Sequence, residues 1–371
     1  MLFIDNDTVS KVLSMSECID AQDTAFRGLP TGASVHRPRI DVYVPTEHED
    51  DYYRWGTMEG ASKELGVFAI RMKSDILYWP QDEHGFWKEE KYSVQPGLYC
   101  GLIFLFSTRN AEPLALINDG ILQHMRVGGG AGLGAKYLSR EDSHTVGMIG
   151  SGGMARTYLE AFAAIRDIRK VRVFSPTKAN REAYAKEMAE KLELDIEPVD
   201  APELAVEDAD IVAAATNAMQ PALLGRWLRT GQHVTDVRGE LDEEVHTRAD
   251  VVVQQGVSHS RPRNEDPQHM GEGYNRGDYM AGSEEELARL PERHRGGNIG
   301  GGGGGVVSTF NDLASGRIPG RTSPDDITLY LNAGNQGLQF AAVGSVVYNK
   351  CKELGLGREL PTEWFLQDIR D

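Results

Sequence analysis

The stretch VGMIGSGGMA at residues 146–155 contains the pattern Gly-x-Gly-x-x-Ala, placed between a short apolar segment and the start of a helical one. In this context Gly150 permits a tight turn, and Gly152 lets the backbone approach a pyrophosphate. Ala155 is small enough for the helix to pack closely on the strand, and the helix N-terminus offers N–H groups to the anion. A glycine-rich turn without a ligand is the alternative, but it does not account for the strand before the motif and the helix after it. The stretch therefore predicts a Rossmann-type dinucleotide site.

The segments around this motif alternate between short apolar strands and helices. Predicted strands lie at residues 145–149, 171–174, 211–215, 233–237 and 251–253, and predicted helices at 154–165 and 180–192. Such alternation is typical of βαβ units with a parallel sheet. In the first third, predicted strands at 39–45, 66–73, 98–107 and 113–118 indicate a second sheet or a partly closed barrel. The predicted fold class is α/β, with a Rossmann-type parallel sheet and a second, strand-rich region.

Two further segments are rich in glycine. Residues 121–138 have a helical pattern that contains five glycines. Since glycine costs about 1 kcal/mol relative to alanine in a helix, we expect either close backbone packing or a break in the helix. Residues 256–305 end in the run of six glycines at 300–305, which predicts a flexible linker or a lid over the active site. Residues 79–96 are predicted to be a loop or insertion, and 336–354 a final apolar helix.

The end of the second predicted Rossmann strand bears on coenzyme choice. An acidic side chain there would accept hydrogen bonds from the ribose 2′-hydroxyl of NAD, but Ser175 occupies this position. Ser175 and Thr177 can donate hydrogen bonds to a 2′-phosphate, and Lys178 or Arg181 can neutralise its charge. The two basic side chains could instead face solvent on the following helix. We expect NADP(H) to be preferred, with NAD(H) possible.

Charge and cysteine content exclude several classes of protein. The formal net charge is −17, which disfavours binding to nucleic acid or anionic membranes but permits a locally basic pocket for a small anion. The three cysteines lack CxxC spacing, and no residues have the ligand spacing of a zinc site. No apolar stretch approaches the ~20 residues that span a bilayer, and the acidic start is unlike a signal peptide. We expect a cytoplasmic protein without a metal.

On these motifs the chain resembles the ornithine cyclodeaminase/mu-crystallin family. The resemblance extends over most of the chain, and the stretches that carry it are QHMR at 123–126, AKYLSRED at 135–142, IGSGGMAR at 149–156, and ADIV at 209–212 with Thr216. It implies a central Rossmann domain, here residues 126–317 with the glycine-rich loop 296–305. It also implies a second, α+β domain for substrate binding and dimerisation, built from both chain ends, here 1–125 and 318–371. Members include cyclodeaminases, imine and ketimine reductases, and amino-acid dehydrogenases, usually as homodimers.

The resemblance implies roles for several basic residues. Arg126 looks like the family arginine that binds the substrate carboxylate, and Arg39 looks like an earlier substrate-binding arginine. Phe68 follows Gly66-Val67 where the family usually has a substrate lysine. Arg71 and Lys73 lie downstream on one face of the predicted strand, with Phe68 on the other. Either residue could supply the second cation that holds a carboxylate.

Acidic and cofactor-binding candidates complete the predicted site. Asp236 or Glu240 could replace the catalytic aspartate of the family's cyclodeaminases, and both could equally be structural. His124 could donate a proton, although a packing role is the alternative. The catalytic candidates are Lys73, Arg126 and Asp236, the substrate-binding candidates are Arg39, Arg71, Lys73 and Arg126, and the cofactor-binding candidates are Gly150, Gly152, Gly153, Met154, Ala155, Ser175, Thr177, Lys178, Arg181 and Thr216.

These features predict an NAD(P)H-dependent oxidoreductase that reduces a small carboxylate-bearing substrate, an imino or 2-oxo acid. Such a reaction needs a carboxylate clamp, a reduced nicotinamide and one proton donor. Two alternatives stay open: a cyclodeaminase-like lyase that recycles NAD internally, and a non-catalytic NADP-binding protein like the crystallin relatives.

Overall fold

A computed structural model describes residues 1–81, 89–218, 220–237, 239–256 and 308–369, together with the backbone of 278–280. Two β-sheets, each with its own helices, make up this described part. No helix within it is long and apolar enough to cross a membrane.

The first sheet is mostly antiparallel and is formed largely by the N-terminal region. Its strands there are β1 (Leu2–Ile4), β2 (Ser34–Pro45), β3 (Tyr52–Ser62), β4 (Val67–Tyr78), β5 (Glu90–Tyr92), β6 (Cys100–Ser107) and β7 (Pro113–Asn118), and the helices are α1 (Asn6–Val12) and α2 (Met15–Arg27). Strands β2, β3, β4, β6 and β7 pair antiparallel in that order, β5 pairs with β4, and β1 runs parallel to β7. Helices α1 and α2 and strand β3 were not predicted. Residues 82–88, within the predicted loop at 79–96, lie outside the described residues.

Helix α3 (Gly120–Leu138) links the two sheets and remains continuous through its glycines. A Cβ at Gly128 would fall 2.4 Å from the backbone oxygen of Thr157, and one at Gly134 would fall 2.2 Å from the ring of Tyr330. Close packing on both sides, rather than a break in the helix, therefore explains why glycine is used.

The second sheet is parallel and carries the dinucleotide motif. Its segment of the chain contains strands β8 (Thr145–Ile149), β9 (Lys170–Phe174), β10 (Asp195–Pro198), β11 (Ile211–Ala214), β12 (His233–Asp236), β13 (Val251–Gln254), β15 (Ser308–Thr309) and β16 (Thr328–Leu331), and helices α4 (Gly153–Ile165), α5 (Lys178–Leu192), α6 (Pro202–Val206), α7 (Glu243–Arg248) and α8 (Phe310–Ala314). The strands are ordered β10-β9-β8-β11-β12-β16-β13-β15. The α/β class with a Rossmann-type parallel sheet is therefore confirmed.

Helix α9 (Gln336–Leu354) returns the chain to the first sheet and packs on β3 and β4. Strand β17 (Arg358–Glu359) then pairs with β1 at the edge of that sheet. On β4 the residues alternate between buried and partly exposed, and Arg71 and Lys73 lie on the buried face while Phe68 lies on the other, as the predicted alternation requires.

The domain ranges predicted from the sequence differ from the membership of the two sheets at two places. Strand β16 belongs to the parallel sheet, so the last crossing between sheets lies after Leu331 and not at 317/318. The short strand β14 (Asp278–Met280) pairs with β2, in the first sheet, although it lies within the predicted Rossmann range. The first sheet thus includes a strand from the middle of the chain. The glycine-rich loop at 296–305 lies outside the described residues.

Candidate active site

The fingerprint turn connects β8 to α4, and Gly150 and Gly152 within it differ in backbone conformation and in the space around them. Gly150 has φ +114°, and a Cβ there would fall 2.2 Å from the oxygen of Ala215. Gly152 has φ −83°, and a Cβ there would meet no described atom within 4 Å. The turn itself therefore requires Gly150, whereas Gly152 leaves open space at the N-terminus of α4. This space is where a pyrophosphate would approach the backbone, so the residues present fit a dinucleotide.

The rest of the fingerprint faces the two neighbouring elements. Ala155 is fully buried against the parallel sheet, and Met154 packs at the edge of the same core. A Cβ at Gly153 would come within 3.0 Å of Nε2 of His124, which is on α3. The start of α3 thus lies directly beside the dinucleotide turn.

The residues after β9 divide into two groups. Ser175 is buried, while Thr177 and Lys178 are exposed at the start of α5, where Lys178 Nζ lies 3.8 Å from Glu182. Arg181 is instead buried: its guanidinium donates to the Ser175 carbonyl at 3.1 Å and pairs with Asp200. The structure therefore brings Ser175, Thr177 and Lys178 to the strand end, but Arg181 is already bound to an acidic side chain.

The ends of β11 and β12 place two buried carboxylates together. Glu240 accepts hydrogen bonds from the backbone N–H groups of Thr216 and Val237, each at 3.3 Å. Asp236 accepts one from the Gly239 N–H at 2.7 Å. Burial, and then repulsion from Glu240, raise the pKa of Asp236 to about 7. One carboxyl beside the dinucleotide turn is thus able to hold a proton near neutral pH.

Arg126 lies two residues beyond His124 on α3 and is almost fully buried. Its guanidinium donates to Oε1 of Gln339 at 2.8 Å and to Oε1 of Gln123 at 3.0 Å. Its Cζ lies 5.0 Å from the ring centroid of Phe340. Among the described residues it forms no ion pair, and burial together with neighbouring Arg71 lowers its pKa. Arg126 is thus a buried cation held by neutral amides.

Arg71 and Arg39 complete a group of three arginines that repel one another, since both neighbours lower the pKa of Arg126. Arg71 Nε donates to Asp119 at 2.6 Å, and Asp119 is the residue that precedes α3. Arg39 Nη2 lies 2.6 Å from Asp41. Both of these arginines have a carboxylate partner, which leaves Arg126 as the cation without one.

Lys73 lies two residues after Arg71 on β4, on the same buried face of the sheet. Its Nζ is 3.4 Å from Asp75 and 3.8 Å from Asp41. Burial, followed by repulsion from Arg39 and Arg54, lowers its pKa well below the usual value. Arg54, which was not predicted from the sequence, is buried on β3 and donates to Asp75 at 2.7 Å. No sequence signal pointed to Arg54, because the strand that carries it was not predicted either.

Two further polar residues, Tyr158 and Asn332, are hydrogen-bonded beside Asp236. The Tyr158 hydroxyl donates to the Asp236 carbonyl at 2.7 Å and accepts from Asn332 at 2.6 Å. Sequence patterns gave no sign of either residue. Among the described residues, no group of three or more His, Cys, Asp or Glu side chains is placed to hold a metal ion.

Comparison with known proteins gives a consistent result. Residues 84–354 match the model of the ornithine cyclodeaminase/mu-crystallin family. A Delta(1)-pyrroline-2-carboxylate reductase of Bacillus cereus is 26% identical over 70% of this chain and 74% of its own length. An alanine dehydrogenase of Archaeoglobus fulgidus is 24% identical over 97% of this chain and 98% of its own length. The structure of Thermococcus litoralis Delta(1)-pyrroline-2-carboxylate reductase with NADH and L-proline superposes with a TM-score of 0.71, at 25% identity, over 97% of this chain and 100% of that one.

Proposed function

The chain belongs to the ornithine cyclodeaminase/mu-crystallin family, and as an oxidoreductase of C=N bonds in that family we propose that it reduces a small imino acid held by its carboxylate on Arg126. The observation that carries this proposal is the buried Arg126 guanidinium with amide partners and no ion pair among the described residues. A buried cation without a counter-charge is unfavourable until an anion binds. An imino acid supplies that anion.

The other cations around Arg126 support the same substrate class. Arg71 and Arg39 disfavour the charge on Arg126, because both lower its pKa although each is paired with an aspartate. A bound carboxylate would offset this repulsion. We assign Arg71, rather than Lys73, the part of the missing family lysine. The reason is that Arg71 lowers the pKa of Arg126, whereas Lys73 interacts with Asp41, Asp75, Arg39 and Arg54.

A proton must reach the imine nitrogen, and the chain has two buried groups that could hold it. A reduced nicotinamide coenzyme, whose pyrophosphate the fingerprint turn would hold, would supply the hydride. Lys73 Nζ holds a proton between Asp41 and Asp75, and its lowered pKa makes that proton easier to give up. We therefore assign proton donation to Lys73. We assign to Asp236, whose pKa is raised to about 7, the holding of a second proton beside the cofactor.

NADP(H) is the coenzyme that we propose, with NAD(H) also accepted. The support is that Ser175 stands where an acid would favour NAD, and that Thr177 and Lys178 are exposed at the start of α5, where they could bind a 2′-phosphate. Arg181 no longer supports this assignment because it pairs with Asp200. The preference therefore depends on Lys178 as the one cation at this turn that we assign to the phosphate.

A homodimer through the first sheet is also part of the proposal. The outer face of β4 and β6 carries partly exposed aromatic side chains, among them Phe68, Phe104 and Phe106. Such an apolar face is typical of a protein–protein interface. Light scattering at micromolar concentration should give a mass twice that of the single chain, which is 40.9 kDa.

The free cysteines and the acidic net charge fit a cytoplasmic location.

The proposed activity is tested with NADPH and NADH oxidation. Each reduced coenzyme is offered with Delta(1)-pyrroline-2-carboxylate, and with a panel of 2-oxo acids in the presence of ammonia or methylamine. Oxidation that depends on a carboxylate-bearing substrate is the expected result. A parallel assay for ammonia release from ornithine tests the cyclodeaminase alternative. Ammonia release without net coenzyme oxidation would overturn the proposed reaction.

A further inference from the structure

Two buried glutamines hold Arg126 from both its ends. Gln339, on α9, accepts from the Arg126 guanidinium through Oε1 at 2.8 Å and donates through Nε2 to the Arg126 backbone carbonyl at 3.0 Å. Gln22, on α2, donates to the same carbonyl at 3.1 Å. Gln339 Nε2 also donates to Oε1 of Gln22 at 2.7 Å. Gln22 and Gln339 are both fully buried.

This arrangement is unusual for a buried arginine, which ordinarily pairs with a carboxylate. An amide accepts the guanidinium hydrogen bond and thus fixes the plane of the fork, but it brings no negative charge. A glutamate of the same shape would form an ion pair at this site and would compete with an incoming carboxylate. The other close acceptor, Gln123, is likewise an amide. The site therefore orients the guanidinium while leaving its charge available.

We propose that Gln339 is a positioning residue for the substrate, which holds the Arg126 fork in place and leaves its charge free for a carboxylate. This inference rests on the proposed function, because it presupposes that Arg126 binds the substrate carboxylate. Gln22 bonds to the Arg126 backbone carbonyl and to Gln339, whereas the guanidinium itself is bonded by Gln339 and Gln123. Helix α9, through Gln339, thus sets the orientation of the guanidinium on α3.

The test uses Gln339→Glu, a change of one atom that adds the missing charge. Binding of pyrrole-2-carboxylate, a planar carboxylate, and of the neutral pyrrole-2-carboxamide is measured by calorimetry in the presence of saturating NADPH. We expect the preference for the carboxylate over the carboxamide to fall at least about tenfold, or ~1.4 kcal/mol. The new carboxylate pairs with Arg126 but no longer donates to the Arg126 carbonyl and to Gln22, so the Tm should fall. NADPH affinity should not change.

Gln22→Leu is the matched control. It removes an amide from the same network without adding charge, so it should lower the Tm while the carboxylate preference stays near that of the wild type. Equal loss of preference in both variants would show that disturbed packing is the cause, and would overturn the proposal. So would a Gln339→Glu variant that keeps the full preference. If the wild type itself does not distinguish the two probes, the assignment of Arg126 in the proposed function fails instead.

Discussion

Substitution of Gly152 by valine should separate dinucleotide binding from folding. The backbone of Gly152 has φ −83° and ψ −173°, an extended conformation that valine adopts readily. A Cβ there meets no described atom within 4 Å. The cost to the fold is limited to a poorer residue before α4, about 1 kcal/mol, which lowers the Tm of a chain of 371 residues by roughly 1–2 °C.

The cost to dinucleotide binding should be much larger. The valine side chain would occupy the space through which the pyrophosphate reaches the N–H groups at the start of α4. Hydrogen bonds to charged groups contribute roughly 1.5–3 kcal/mol each, so the loss of two corresponds to a factor of at least about a hundred in Kd. Calorimetric titration with NADPH, beside a melting curve, measures both quantities on one sample.

Gly150→Ala is the contrasting variant. Its φ of +114° and the 2.2 Å approach to the Ala215 oxygen predict a clear loss of stability, of order 1–3 kcal/mol for the backbone strain alone. If Gly152→Val instead binds NADPH as tightly as the wild type, the turn serves only to pack α4 on β8. A collapsed Tm in Gly152→Val would also refute the reasoning, because the open space at this position would then be needed by the fold.

Three further variants test the rest of the site. Arg126→Lys keeps the charge but loses the planar fork, and should lower kcat/KM for a carboxylate substrate at least about tenfold with NADPH affinity unchanged; full activity would remove Arg126 from the site. Ser175→Asp sets a carboxylate against the 2′-phosphate, so the ratio of NADP to NAD affinities should fall, and an unchanged ratio would contradict our assignment of this turn. For Asp236→Asn the direction of the stability change follows from the pKa of Asp236, which is raised in the folded state to about 7. The wild type therefore loses stability as pH rises from about 4 to about 7, and the variant, which cannot ionise, should be more stable at pH 8 by up to ~4 kcal/mol. Urea unfolding at pH 8 and at about pH 4, where the difference should vanish, checks this, and an equal difference at both pH values would exclude ionisation of Asp236 as its cause.

Local patterns predicted those parts of the fold in which side-chain periodicity follows the packing. The fingerprint, the βαβ alternation and the buried face of β4 are of this kind, since their apolar or alternating residues lie where the sheets require them. The final helix was predicted with the bounds that the structure shows. A helical pattern over 121–138 was also predicted, but only the structure decides between close packing and a break at its glycines.

Other features depend on tertiary contacts that no local pattern contains. Strand β3 carries Arg54, Gly56 and Gly60 on its buried positions, so it does not read as an apolar strand. At Gly56 a Cβ would fall 2.5 Å from Cε of Lys73, so the glycine makes room for a side chain from the next strand. Arg181 has the spacing expected of a phosphate-binding residue, yet the distant Asp200 binds it. Strand β16 lies in the parallel sheet, although residues 318–371 were predicted to belong to the other domain.

The position of Arg126 on α3 has a stereochemical consequence. The same helix brings His124 against the fingerprint turn, and its glycines pack tightly against α4 and β16. The cation that we propose for the carboxylate and the turn that we propose for the dinucleotide thus lie on elements packed directly against each other. A flat imine held at its carboxylate by Arg126 and at its nitrogen by the proton donor can then present only one of its two faces to the coenzyme. We expect the amino acid formed to be a single enantiomer, which chiral chromatography of the product would verify.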